Sequence, residues 1–366
     1  MQNRPTQKTV LAAAVAAALL AGGAAQAQSS VVLYGLVDLA VDNYKAGEKA
    51  GGTSVWKLND GVVNGLNGSR WGVRVNEDLG GGLKTVAVLE GGLSADTGAL
   101  GQGGLAFGRQ VYVGLSSAAL GEVRLGRQYI LEDSTMGLTN PYGNAAVNNT
   151  GTGVTNMGKA LPFWLNAPRA NNVVQYQTPT MGGFYAAAQL APGEGTTERF
   201  HGLKLAYSAG ALNTALSYEW NKSGSSGKNT NKSLTVGANY NFGPVKLLGG
   251  IQRDSELTTT AGNGAFTGAN LIVTDAAGAF TAAKINGYTL GVEIPTGAMT
   301  WGINYTGVKY ESVSGQTATL GKAAFAGRYG LSKNTFLYAG VSFSTGDLKD
   351  YITEERVVQA GLRMAW

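Results

Sequence analysis

The sequence predicts an all-β fold, a 16-stranded antiparallel transmembrane β-barrel, and three observations predict it. Apolar and polar residues alternate with period two along successive strand-length segments. The connections between those segments are very short and long by turns, as in an up-and-down barrel. The chain is 44% hydrophobic with 56 Gly and only 8 Pro. Beyond residue 28, however, no apolar run approaches the roughly 20 residues that a membrane-crossing helix needs.

The first segment reads as an address. Arg4 and Lys8 precede an apolar run from Val10 to Ala25, and Ala25-Gln26-Ala27 supplies a small-x-small cleavage site. Residues 1–27 are therefore expected to be a cleaved signal peptide and 28–366 the barrel. The run is short for a membrane span, and no basic stop-transfer cluster follows it.

Strand faces can be assigned by parity. In Ser69 to Asn76, Trp71, Val73 and Val75 share one face, while Arg70, Gly72, Arg74 and Asn76 share the other. In the last segment Val358, Ala360, Leu362, Met364 and Trp366 oppose Gln359, Gly361, Arg363 and Ala365. A slip of one residue would turn Arg363 into lipid, at roughly 2–4 kcal/mol near the midplane and less near an interface. Short connections fall at 77–81, 116–121, 179–183, 209–211, 241–244, 295–297 and 331–334. Longer ones fall at 46–66, 131–170, 222–230, 256–285 and 346–353. Counting between the breaks gives 16 strands, an even number in the range that leaves an aqueous lumen. Many aromatics stand at strand ends, suited to the two headgroup levels. Tyr34 is an exception, sharing parity with Asp38 and Asp42 and so facing inward.

Composition excludes several classes. With no cysteine and a lone histidine, His201, a zinc site or a Cys-His pair has too few ligands. A barrel enzyme would have to activate its nucleophile through His201, which reads instead as a surface histidine where a strand begins. Formal charge is +5, or +3 without the segment carrying Arg4 and Lys8, and no basic run marks a nucleic-acid partner. Gly80-Gly81-Gly82 is a turn, since no helix follows it and no Lys-Ser/Thr pair closes it. No cofactor is expected.

Several strings in order resemble one family. They are Ser30-Val31-Val32-Leu33-Tyr34-Gly35-Leu36-Val37-Asp38, Ser69-Arg70-Trp71-Gly72, and the turn from Glu77 to Lys84 (EDLGGGLK). Phe107 to Leu115 (FGRQVYVGL), Gly121 to Tyr129 (GEVRLGRQY), Asn172 to Tyr176, Thr178 to Phe184 and Leu331 to Thr335 follow. Together they resemble the Gram-negative trimeric porins of the neisserial and β-proteobacterial type. Trp366 stands where that family usually ends in Phe. The resemblance implies a homotrimer in the outer membrane, among lipid and lipopolysaccharide, passing small hydrophilic solutes and ions. It also implies that the third extracellular loop, here 131–170, folds inward to narrow the pore.

Selectivity in such a channel is set by pore width and by charge at the narrowest point. Arg70, Arg74, Arg109 and Arg124 are each read onto the polar face of a strand, and Arg169 closes the long loop. The resemblance implies that Arg70, Arg109 and Arg169 line the constriction, with Glu90 as their acidic partner. Asp38 completes the expected set. The loop offers Glu132 and Asp133 against Lys159 and Arg169, which tilts the neck positive and favours anions. Lumen arginines can equally pair with Glu90, Asp38 or Asp42 and brace the wall. Arg127, of opposite parity to Arg124, is expected at a rim, as are Asp96, Asp254 and Glu256. A substrate-specific channel for phosphate or organic anions is the alternative, distinguished by saturating rather than linear flux. A closed recognition barrel fits the lightly charged, glycine-rich lumen face less well.

Overall fold

The computed structural model describes residues 29–61, 65–143, 169–194, 198–224, 226–257 and 272–366. The segment read as a signal peptide lies outside them, as does Lys159.

Sixteen strands form the barrel in chain order. The first four are β1 (Ser30–Lys45), β2 (Arg70–Gly80), β3 (Leu83–Ser94) and β4 (Gln110–Ser117). Next come β5 (Gly121–Tyr129), β6 (Arg169–Gln177), β7 (Phe184–Ala191) and β8 (Arg199–Ala209). The third quarter is β9 (Leu212–Lys222), β10 (Asn229–Asn241), β11 (Lys246–Ser255) and β12 (Lys284–Thr296). The last is β13 (Met299–Glu311), β14 (Thr317–Gly330), β15 (Thr335–Thr345) and β16 (Arg356–Ala365). Each pairs antiparallel with its neighbour, and β16 returns to β1 in the register Leu36↔Ala365 to Lys45↔Arg356. Closure leaves no barrel edge, which is what a sheet surrounded by lipid requires. Trp366 finishes the seam: its N–H donates to the Gly35 carbonyl at 3.1 Å, and its ring occupies the space above Gly35.

The alternation read from the sequence is realised as lipid outside and lumen inside. On β4, Val111, Val113 and Leu115 are exposed outward, whereas Tyr112 lies inside beside Arg124. On β12, Tyr288 and Leu290 face out, while Ile285 and Thr289 are buried within. All seven expected short connections join strands at one end of the barrel, and the long loops gather at the other. One two-residue turn, Gly81-Gly82, has φ of 61° and 80°, a left-handed course that suits glycine. Short turns mark the periplasmic end and long loops the extracellular one.

Two long loops carry structure that their composition did not announce. Ser54–Asp60 folds back as an extra strand on the outer half of β1, from Leu39↔Asp60 to Lys45↔Ser54. Ile272–Asp275 and Gly278–Thr281 form a separate hairpin, whose Val273 and Phe280 join a buried cluster with Phe200, Tyr310, Leu320 and Ile352.

The third loop enters the barrel. Its first turn is a short helix, α1 (Leu131–Met136), which packs on the inner faces of β8 to β10. The path onward to Gly143 runs across a row of glycines. A Cβ on Gly237 would stand 2.5 Å from the Thr135 carbonyl oxygen, and one on Gly250 2.5 Å from the Thr139 methyl. At Gly291 and Gly302 it would stand 3.1 and 2.7 Å from Pro141. The groove that seats the loop is thus backbone left bare.

Replacing Leu290, which is 68% exposed on the lipid face at mid-strand, by Arg is expected to destabilise the barrel by about 2–4 kcal/mol. The same change at Asn213, which faces the lumen, costs under about 1 kcal/mol. Urea unfolding in lipid vesicles measures both.

Candidate functional site

The inner wall of β1 to β6 carries a descending series of arginines. At its top, Arg109 Nε donates to Glu90 Oε1 at 2.8 Å, and Tyr34 Oη donates to Glu90 Oε2 at 3.0 Å. Both members of the Arg109–Glu90 pair are buried, at 5% and 4% exposure. Arg109 Nη2 and Arg169 Nη2 reach the same Tyr129 hydroxyl, at 2.5 and 2.7 Å. Arg169 also lies over that ring, 4.4 Å from its centroid. Arg70, anchored by Nε to the Gly68 carbonyl at 2.9 Å, stands within electrostatic reach of Arg109, Arg169 and Glu90. Three guanidinium groups therefore gather around Glu90 and the Tyr129 hydroxyl. Guanidinium stays charged at every accessible pH, so the excess positive charge is permanent.

Arg74 and Arg124 sit lower on the same wall. Arg74 lies 5.1 Å from the Tyr34 ring centroid, and Arg124 lies 5.0 Å from that of Tyr112 while pairing with Glu122. Arg74, Arg109, Arg124 and Arg169 each have a tyrosine face to rest on. This holds a long side chain at a fixed reach into the lumen without neutralising it.

α1 faces this wall. Asp133 is half-buried and lies within electrostatic reach of Arg169, Arg109, Lys204 and Arg70. Burial pushes its carboxyl up to about 6, and those four cations restrain the rise. Lys204 Nζ donates to Ser134 Oγ at 2.6 Å and joins the basic group from β8.

Three expectations need correction. Glu132 does not line the pore: it is 1% exposed and turns to the wall, where Ser233, Thr235 and Gln252 donate to its Oε1. Its backbone N–H donates to Glu219 Oε1 at 2.8 Å, so this residue fastens the loop. Asp38 has inward parity but no access to the lumen. Tyr338 Oη and the Asn67 N–H donate to it at 2.5 and 2.6 Å, under the first loop. Parity gives direction, and the folded-in loop decides what covers the residue. Asp254 is wholly buried, within electrostatic reach of Glu132, rather than at a solvated rim. Arg127 is held beside the long-loop ends of β4 and β6. Its guanidinium donates to the Gly108 carbonyl and to Asn171 Oδ1.

Arg109 reaches the lumen by another route than parity. Alternation with Val111 and Val113 would send it outward, but β4 starts at Gln110, and the residue before it turns in toward Glu90. Tyr129 escaped the sequence reading for a related reason. The β5–β6 register shifts between Gly126 and Gln128, so a parity counted from Arg124 points Tyr129 the wrong way. The loop also ends two residues earlier than expected, since Arg169 opens β6. His201 lies on the outer face, stacked on Trp220 with ring centroids 4.8 Å apart and planes 4° apart. It is remote from every group just described.

A closed transmembrane barrel with a polar lumen, narrowed by an inward loop opposite fixed charges, defines a diffusion channel. The comparisons agree. A family model described as Gram-negative porin matches residues 12–348, and the chain belongs to that family. It is 32% identical to an outer membrane porin of Bordetella pertussis, over 92% of this chain and 94% of the relative. It is 34% identical to outer membrane porin protein 32 of Delftia acidovorans, over 92% and 89%. Among solved structures, the anion-selective porin from Comamonas acidovorans superposes with a TM-score of 0.71 at 28% identity, covering 93% of this chain and all of that one. The protein is thus an outer membrane porin, a water-filled channel for passive diffusion of small hydrophilic solutes and ions. Its family is one of channels rather than enzymes.

Tyr142 locks the loop on the far wall, its hydroxyl donating to the Thr300 and Ala326 carbonyls at 2.7 and 3.0 Å. Gly302→Val puts a side chain under Pro141 and Tyr142, an overpacking worth about 1–3 kcal/mol. The expected outcome is an unseated loop, read as noisier and larger single-channel currents than wild type.

Proposed function

We propose that this porin prefers anions and that Arg70, Arg109 and Arg169 set the preference, with Arg74 and Arg124 extending the positive path below them. The observation that carries the reading is the convergence of Arg109 and Arg169 on one Tyr129 hydroxyl, with Glu90 the one carboxylate among the described residues that is hydrogen-bonded to either. In a narrow neck walled by protein, such a cluster raises local anion concentration and repels cations. The similarity to an anion-selective porin supports it. Lys159, in the same loop, adds to the positive side of the balance. The barrel works as a homotrimer embedded in outer-membrane lipid and lipopolysaccharide, as the family resemblance implies.

Under a KCl gradient in a planar bilayer, wild type is expected to give a reversal potential favouring chloride. Arg109→Ser should reduce the chloride-to-potassium permeability ratio by roughly half or more. A ratio unchanged by the substitution would remove Arg109 from the selectivity filter while leaving the channel intact.

Asp133 supplies a pH test. It is charged above about 6 and neutral below, so acidification removes a negative charge that faces four cations. Chloride preference should therefore rise as pH falls from about 7 to about 5. Asp133→Asn should show the acidic value at both, and a variant that keeps the full pH response would assign the titration to another group.

A further inference from the structure

The outer face of β10 to β14 holds a second arrangement of charge, unconnected with the lumen. By register, Leu234, Arg253, Asn286, Lys309 and Thr319 form one row across these five strands. Arg253 and Lys309 point outward, exposed and of the same parity as the exposed Ile251 and Tyr305, whereas Gln252 and Tyr310 are buried within. Adjacent strands lie about 4.8 Å apart, which places the two cations roughly 10 Å from each other.

One pair further toward the long-loop end, the cations are neutralised. Lys232 pairs with Glu256 at 2.6 Å, and Lys284 pairs with Glu311 at 3.3 Å. Arg253 and Lys309, one register pair nearer the short-turn end, make no ion pair among the described residues. The carboxylate of Asp347, near Lys309 in the fold, is taken by Thr319, which donates from its backbone N and its Oγ1 at 3.0 and 2.8 Å. This order is the reverse of what lipid exposure alone favours, since an uncompensated cation becomes costlier with depth.

Immediately below the row, the surface is hollow and apolar. The Tyr288 ring lies across Gly307, where a Cβ would stand 2.7 Å from it, and Tyr305 lies across Gly321. The resulting groove has a volume of about 750 Å³ and runs from Ile251 to Gly321, with Arg253 and Lys309 at its upper margin. Two cations at headgroup level over an apolar trough complement an amphiphile with phosphates above and acyl chains below.

We propose that this groove seats one lipopolysaccharide molecule of the outer leaflet, its phosphates on Arg253 and Lys309 and its acyl chains along Ile251, Tyr288 and Tyr305. The assignment rests on the outer-membrane placement of the porin and on the long loops being extracellular. Charge complementarity selects the occupant, because the groove offers two unneutralised cations and no acidic group of its own.

Purified full-length protein in detergent, titrated with diphosphorylated lipid A and followed by native mass spectrometry, tests it. Wild type is expected to hold the lipid roughly ten-fold or more tighter than Arg253→Ser/Lys309→Ser, with Lys309→Gln intermediate. Wild type and the double variant should bind enzymatically dephosphorylated lipid A alike, and Arg253→Lys/Lys309→Arg should bind the phosphorylated form as wild type does. Affinity for diphosphorylated lipid A that is unchanged in the double and single variants overturns the site. So does displacement of the lipid by an equal concentration of inorganic phosphate. Conductance in a planar bilayer, expected to be the same for wild type and variants, separates failure of this site from failure of the pore reading.

Discussion

Lipid offers no hydrogen bonds, and the architecture follows from that. Every backbone N–H and C=O at membrane depth must find a partner in the sheet, so the sheet must close, β16 onto β1. Closure at 16 strands leaves a lumen too wide to discriminate by the wall alone. A segment must then be brought inside, and it must be satisfied there as well. The third loop meets this demand by donating to, and accepting from, the inner wall: Glu132 on β10 and β11, and Tyr142 on β13 and β14.

The neck is built from two unlike halves. On β1 to β6 the wall presents long cationic side chains, of which Arg74, Arg109, Arg124 and Arg169 lie over tyrosine rings. On β10 to β13 it presents glycine, and the loop occupies the space that side chains would have filled. The buried pair Arg109–Glu90 belongs to the first half. It fixes one guanidinium in place, while Arg70 and Arg169 supply charge beyond what Glu90 can balance.

Much of the fold was legible because strand parity is a local property. The strands beginning at Arg70 and ending at Ala365 were assigned face by face from two letters of information per residue pair. The short turns were equally plain. Inward orientation of Arg70, Arg74, Arg124 and Glu90 followed from the same rule. It failed where the backbone departs from a regular strand, at Arg109 just before β4 and at Tyr129 beyond the β5 irregularity. It was silent on depth and cover, which is why Asp38 and Asp254 were placed in water although other chain segments bury them. Those contacts join residues far apart in sequence, such as Asp38 and Tyr338, and no short string encodes them.

The row of bare glycines on Gly237, Gly250, Gly291 and Gly302 has a consequence for how such channels diversify. Bore is governed by the fit of one inserted segment into a trough on one wall, and sign by side chains on the opposite wall. Substitutions at the glycine trough leave the arginines of the opposite wall in place. A lineage can therefore retune what charge it admits without altering its calibre, or widen its calibre without changing the charge it admits.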